Sequence, residues 1–398
     1  MSKELGNSKQ NILIISTTAS MIDQFNLHNI AILQQLGVTV HVATNFLEPG
    51  TITKSLSNHL EQKLTALGVK CHQVDFCRGI GTHRANKKAL NQLCRIIKDD
   101  HITGIHAHSP LGGIIARRAA HKMGVKIIYT AHGLQFFKGS PLKNWFVFFP
   151  VEWFYAHWTD ALVTINSDDY QVARYLPVKQ RYYIPGVGTD IKRVLAIDPA
   201  HQAALRTQTR KRLGVLDDEY LIISIGELSK RKNHATVLKA IKRLNNPKIK
   251  YVIAGIGAEK EKLISLINEL SLQRQVQLLG YLDNLDGLYY AADLNVFIST
   301  REGLGLGGLD GIAHGLYMIG NANTGMKDYV TSHEIGSLVT SPMDVNTIAA
   351  EIKKAMTHPH QITDLHSIMK FDHQNVDQQM TAIYRQEFNL KGDRNDKS

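Results

Sequence analysis

NILIIST (11–17) is a short apolar, β-branched run without alternation, the pattern of a strand buried on both faces. Residues 26–36 follow with helical spacing. Outward from this pair the same alternation continues. VTVHVATNF (38–46), a helix over 54–66, VKCHQVDF (69–76), a helix over 83–98 and ITGIHAHS (102–109) come first. A helix over 112–123, VKIIYTAHG (125–133) and ALVTINS (161–167) come next. Strand and helix in strict turn predict a parallel, doubly wound α/β sheet with helices on both faces.

The alternation pauses at YYIPGVGTDIKR (182–193), where Pro185, Gly186 and Gly188 break regular structure. A second series then opens with YLIISIGEL (220–228), a helix over 234–244, IKYVIAGIG (249–257), a helix over 258–270, VQLLGYL (276–282) and LNVFIST (294–300). A helix over 309–315, YMIGNA (317–322) and one long helical region from 345 to 389 complete it. At 398 residues, two domains are expected: 1–188, 189–370, and a terminal helix with a polar tail (371–398) packing back on the first domain. Open parallel sheets bind ligands beyond the carboxyl ends of their strands, so the site is expected in a cleft between the two sheets. The loops at 16–25, 130–138, 227–233, 255–258 and 299–309 are the ones that would line it.

With 43% hydrophobic and 20% charged residues the composition is that of a folded globular chain, and KGDRNDKS (391–398) is expected to fray. The polar start, MSKELGNSKQ, has no apolar stretch of a secretory leader, and no window approaches 18 uninterrupted apolar residues; the expectation is a cytoplasmic protein. Cys71, Cys77 and Cys94 lack metal-site or disulfide spacing and are read as buried thiols. The net charge of +11 is uneven: residues 51–150 hold 15 basic and 4 acidic side chains. No helix-turn-helix, zinc-finger or RNA-recognition signature accompanies them, so no nucleic-acid partner is expected and the basic face is read as meeting an anionic membrane surface. KNWFVFFPVEWFYAHW (143–158) concentrates aromatic residues and reads either as a membrane-touching helix or loop, or as an aromatic-rich helical pair packed on the first domain.

STREGLGLGGLDG (299–311) runs from a strand through glycines 303, 305, 307 and 308 into a helix, a place where unpaired N–H groups and the helix dipole favour an anion such as diphosphate. Glu302 and Asp310 bracket it with seven residues between them. This resembles the E-x7-E signature of the family 4 retaining glycosyltransferases, two-Rossmann-domain enzymes of the GT-B fold. The resemblance implies that Glu302 lies near the donor sugar and that Asp310, where the family usually has Glu, meets the ribose. SIGELSKRKNHATVLKAI (224–241) is similar to the family's strand, basic loop and helix that hold the donor diphosphate, with Lys232 on the motif's lysine and Asn233 as helix cap. Glu227 stands where many relatives have Arg, leaving Lys230 or Arg231 to supply that charge.

IIYTAHGLQFFKG (127–139) is similar to the family's T-x-H-G segment, which implies that His132 sits close to the transferred sugar. Asp23 and Asn26 in the first loop are weaker candidates, as is the turn carrying Gly255 and Gly257 beside the nucleotide. Gly280 and Tyr281 match the segment that meets the base edge. The resemblance, strongest to the exopolysaccharide and capsule branch, implies a retaining sugar transfer from a nucleotide diphosphate donor, most simply a UDP-sugar, to a lipid-diphosphate-linked or glycan acceptor. It implies no cofactor and no catalytic metal, and a place at the inner face of the cell membrane. Two alternatives share the fold: a nucleotide-sugar epimerase, and a non-catalytic partner protein.

Overall fold

A computed structural model describes residues 10–137, 140–357, 362 and 365–390; the expected frayed tail at 391–398 lies outside the described residues. The chain divides into two compact units, one running to Val187 and resuming at Gln374, the other spanning Gly188–His373.

The first unit runs β1 (Asn11–Ile15), α1 (Ala19–Phe25), α2 (Leu27–Gln35), β2 (Thr39–Thr44), α3 (Lys54–Ala66), β3 (Lys70–Gln73), α4 (His83–Asp99) and β4 (Gly104–His108). It continues with α5 (Pro110–Met123), β5 (Lys126–Ala131), α6 (Leu142–Ala156), β6 (Ala161–Thr164), α7 (Ser167–Ala173) and β7 (Gln180–Tyr183). The seven strands lie parallel in the order β3-β2-β1-β4-β5-β6-β7. The unbroken apolar run of β1 follows from this placement. Ile12 and Ile14 enter one helix-covered layer while Leu13 and Ile15 enter the other, all four without exposure. Each contributes roughly 1.5–3 kcal/mol of burial, so a polar residue at any of the four would undo the layer it faces.

The second unit repeats the plan with α8 (Ile191–Leu195), α9 (Pro199–Leu213), β8 (Tyr220–Ile225), α10 (His234–Leu244), β9 (Ile249–Ala254), α11 (Lys260–Glu269) and β10 (Val276–Gly280). Then come α12 (Asp286–Ala291), β11 (Leu294–Phe297), α13 (Leu306–Ala313), β12 (Met318–Asn321), β13 (Gly336–Val339) and α14 (Val345–Thr357). Its six parallel strands are ordered β10-β9-β8-β11-β12-β13. The last helix, α15 (His373–Glu387), places Val376, Met380, Ile383 and Tyr384 in the apolar layer of the first unit, where the Tyr384 hydroxyl meets His106 Nδ1 at 2.6 Å.

The alternation read from the sequence is present, with several corrections. The first helical stretch starts at Ala19 and breaks at Asn26, whose amide donates to the Met21 carbonyl at 3.0 Å. β7 and β13 lie on the sheet edges and were not foreseen. Nor was α9, a polar helix held by Arg206 and Arg210, which reach the last carbonyls of α12 and the Asp293 carboxylate. The long region expected over 345–389 is two helices, α14 and α15. The helix expected over 309–315 begins earlier, at Leu306. The three cysteines are free and only partly buried.

Candidate active site

In the second unit β8 has β9 on one side and β11 on the other, so successive crossovers diverge at the β8–β11 seam and leave room at its carboxyl end. Two loops meet there. Residues Lys230–Lys232 form a 3₁₀ turn after β8, and the chain after β11 carries Glu302. Arg231 ties them, its amide oxygen accepting from Thr300 N at 2.8 Å and its guanidinium donating to the Arg301 carbonyl at 3.0 Å. Glu302 Oε1 receives Lys232 Nζ at 2.7 Å and Arg231 Nη1 at 2.6 Å, with Glu227 3.8 Å from Arg231. Arg231 is therefore the second cation at Glu302, while Lys230 stands exposed.

Burial works against both members of the central pair. It would raise the Glu302 carboxyl, but Lys232 and then Arg231 outweigh it and hold the group below the usual carboxylate range. It pulls the Lys232 ammonium down, with Glu302 opposing. The ammonium also lies 4.3 Å from the centre of the Phe297 ring, a cation–π contact. Gly226, at φ +150°, leaves the lysine its path, since a Cβ there would come within 2.9 Å of Lys232 Cε.

Asp310 lies on α13, where its carboxylate accepts from the Thr189 hydroxyl. Burial pushes this carboxyl up to about 6 against the Thr189 hydrogen bond, with Asp190 adding to the rise. One turn on, His314 Nδ1 meets the Asp310 carbonyl at 2.7 Å and its Nε2 meets Asp286 at 3.1 Å. Asp286 is gripped in turn by both terminal nitrogens of Arg193 at 2.8 and 3.1 Å. This chain fixes the face of α13 that carries Asp310.

The glycines divide into two groups. Gly305, at φ +87°, opens α13, and its carbonyl accepts from the Tyr329 hydroxyl at 3.0 Å. Gly307 and Gly308 are inside the helix, not in the preceding loop, and they face protein: added Cβ atoms would meet the Phe297 ring at 3.0 Å and Met318 Sδ at 2.4 Å. Gly257 has a similar reason, for an added Cβ would run into the Leu228 carbonyl oxygen, and one on Gly255 would run into that of Gly226. Gly303 stands in the loop before α13, while Gly280, at φ +75°, ends β10 with open space beside it and Tyr281 half-exposed next to it. Asn233 stands at the start of α10 but does not cap it; left-handed at φ 61°, it donates to the Pro342 carbonyl at 2.8 Å instead.

In the first unit His132 follows β5 directly, its Nε2 2.9 Å from Nδ1 of His108, the last residue of β4. The Phe25 ring packs 5.4 Å away. Burial drives the His132 imidazole down to about 4, and burial followed by His106 and His132 lowers His108 as well, so both rings are neutral at neutral pH. The next turn is pinned by Asp169, which accepts from Leu134 N at 3.0 Å and from the Asn166 amide at 2.8 Å. Asn26 spends its amide on the backbone, and Asp23 lies partly buried on α1. His108, Thr189 and His314 were not singled out from sequence; only the alternation of His106 and His108 in IHAHS signalled two imidazoles on one face of a strand.

Two sequence families match: Glycosyl transferase 4-like domain over residues 23–181 and Glycosyl transferases group 1 over 206–370. The glycosyltransferase-type protein EpsD of Bacillus subtilis (strain 168) is 30% identical over 82% of this chain and 83% of its own length. The UDP-Gal:α-D-GlcNAc-diphosphoundecaprenol α-1,3-galactosyltransferase of Escherichia coli is 25% identical over 71% of this chain and 73% of its own. Among solved structures, sucrose-phosphate synthase from Thermosynechococcus elongatus superposes with a TM-score of 0.73 at 20% identity, covering 96% of this chain and all of that one. Anabaena HepE, determined with UDP and glucose, does so with 0.72 at 15%, covering 95% and 100%. With its two parallel-sheet units and both sequence families in chain order, this chain belongs to the group 1/4 glycosyltransferases of the GT-B fold and is a hexosyltransferase-type enzyme.

Proposed function

We propose that this glycosyltransferase moves a sugar from a UDP-sugar to a lipid-diphosphate-linked acceptor, with retention of anomeric configuration, in bacterial exopolysaccharide or capsule synthesis. The observation that carries the reading is the convergence of Lys232 and Arg231 on Glu302 at the carboxyl end of the second sheet. A departing nucleoside diphosphate gathers negative charge, and preorganised cations in a largely buried place are what lowers that barrier. Lys232 and Arg231 supply them from the protein itself, so the proposed transfer uses no cofactor or catalytic metal. The second unit holds the donor, with Gly303, Gly305 and the start of α13 near the diphosphate, Asp310 at the ribose, and Gly280 and Tyr281 near the base. The first unit receives the acceptor. Neutral His132, oriented by His108, offers a hydrogen bond to a sugar hydroxyl.

The printed name of the Escherichia coli relative specifies a UDP-sugar and a diphosphoundecaprenol acceptor, which supports the same chemistry here. Among the described residues no helix is long and apolar enough to cross a membrane, so the proposed encounter with a lipid acceptor is peripheral, at the inner face. The deciding experiment offers purified protein a panel of UDP- and GDP-sugars with a lipid-diphosphate sugar acceptor in detergent, beside Glu302→Ala. Acceptor-dependent product that collapses in the variant is expected. Donor turnover without acceptor would point to an epimerase, and nucleotide binding without any product to a non-catalytic partner.

A further inference from the structure

Helix α6 carries large apolar side chains on both its inward and its outward side and yet lies at the surface of its unit. Its inward side is fully employed. Trp145, Phe148 and Phe149 pack on the apolar layer beneath, and Glu152 makes a buried ion pair with Arg117 of α5 at 2.8 Å. The outward side carries Leu142, Phe146, Val147, Val151, Trp153 and Phe154, with Phe146 79% and Phe154 52% exposed. At 100° per residue these side chains and Pro150 fill one half of the helix, with Lys143 the charged residue among them. A helix that packs on one face needs no second apolar face for folding, and an exposed patch of this kind marks a contact surface.

Two observations choose the occupant. The flank is cationic: α5, against which α6 packs, exposes Arg118 and Lys122, and α4 beyond it exposes Arg84, Lys87, Lys88, Arg95 and Lys98. A second copy of this chain, itself at +11, would bring the same cations together across a two-fold contact. An anionic bilayer pairs apolar chains with the helix face and head-group phosphates with the flank. The helix is also joined to the loop that carries His132. Trp145 Nε1 donates to the Phe137 carbonyl at 3.3 Å, Asn144 donates to that of Gln135 at 3.0 Å, and the Phe136 ring packs on Trp145 and Phe149.

We infer that the outward face of α6 inserts into the interface of an anionic membrane, with Trp153, Phe146 and Phe154 as anchors and the α4–α5 cations on the head groups. This names the surface on which the proposed acceptor is met, and to that extent it rests on the lipid-acceptor reading. The test is flotation with vesicles of phosphatidylcholine alone or with phosphatidylglycerol added, for wild type, Phe146→Glu/Phe154→Glu and Arg118→Glu/Lys122→Glu, each with a thermal melt. Wild type should float with the anionic vesicles and show a blue-shifted, lipid-quenched emission that Trp153→Phe removes. The aromatic pair variant should bind at least about tenfold more weakly to either vesicle. The charge variant should lose about tenfold or more on anionic vesicles only. Both should melt as wild type does and keep nucleotide binding. Equal binding by wild type and the aromatic variant, no binding by either, or a wild-type dimer that the aromatic variant dissolves would each overturn the proposal. Vesicle binding without sugar transfer would leave this surface standing and remove the lipid-acceptor reading; transfer without vesicle binding would do the reverse.

Discussion

At the carboxyl ends of β8 and β11 the second unit crowds ionised side chains, Glu302 against Lys232 and Arg231. At the ends of β4 and β5 the first unit sets two neutral imidazoles against each other, His108 and His132. The sheets that present them are both parallel and share the strand order around their first strand. One fold plan used twice thus yields two kinds of site. A carboxylate held between cations can exchange partners with an arriving diphosphate without leaving a buried charge alone, which would be costly. A neutral imidazole gives directional hydrogen bonds to hydroxyl groups and adds no field of its own.

If that division holds, the largest loss comes from the charged side. Lys232→Ala should lower kcat about 10³-fold, since it removes a cation from a place where water cannot replace it and also leaves Glu302 half-compensated. Arg231→Ala should cost less, about tenfold, because its side chain is 38% exposed against 11% for Lys232. Steady-state rates with saturating donor measure both. Equal losses from the two would break the picture of one buried and one peripheral cation.

On the neutral side the larger loss should fall between these two, and nucleotide binding should not move with it. His132→Ala is expected to lower kcat about 10²-fold with nucleotide affinity unchanged. His108→Ala should lose about tenfold, because it acts only through the orientation of His132, and His108→Asn should recover part of that by restoring a polar partner. A drop in nucleotide affinity in either variant, measured by calorimetry, would show that the first unit does more than receive hydroxyl groups.

The same contrast explains what could be read from the sequence. Parallel strands buried on both faces announce themselves as unbroken apolar runs, so NILIIST and YLIISIGEL were legible, whereas Glu302 and Lys232 were picked out by the resemblance of their loops to the family's motifs. α9 was not, because PAHQAALRTQTRKRL has no apolar stripe; arginine hydrogen bonds to Asp293 and to carbonyl oxygens hold it down, with Leu213 buried at its end. The glycines were ambiguous for a related reason. A sequence shows that a Cβ is missing, not which neighbour forbids it, and at Gly257, Gly307 and Gly308 the neighbour is the protein itself. Asn233 has the residue type of a cap but stands left-handed, with its amide on the Pro342 carbonyl. The pairing of His108 with His132 joins two strands across 24 positions, a distance that local periodicity does not cover.

The smallest expected effect is one of stability, and its sign differs between the two regions. Asp310 titrates near 3.8 when free and at about 6 in the fold. Below the first value both states are protonated and the residue costs nothing. Between the two the unfolded chain ionises while the fold does not, so stability falls as pH rises, and above about 6 the full cost, on the order of 3 kcal/mol, is present. Asp310→Asn escapes it, and its melting temperature should match wild type near pH 4 and exceed it by several degrees above neutrality. His132 runs the other way. Its folded value near 4 lies below the free value of 6.5, so the stability of the neutral ring is complete above 6.5 and is lost as pH falls toward 4. His132→Asn should therefore be less acid-sensitive than wild type while leaving the alkaline side unchanged. Melting curves across this range for the two variants separate the cases, because a common slope would mean that neither burial, but a feature shared by the whole chain, sets the response to pH.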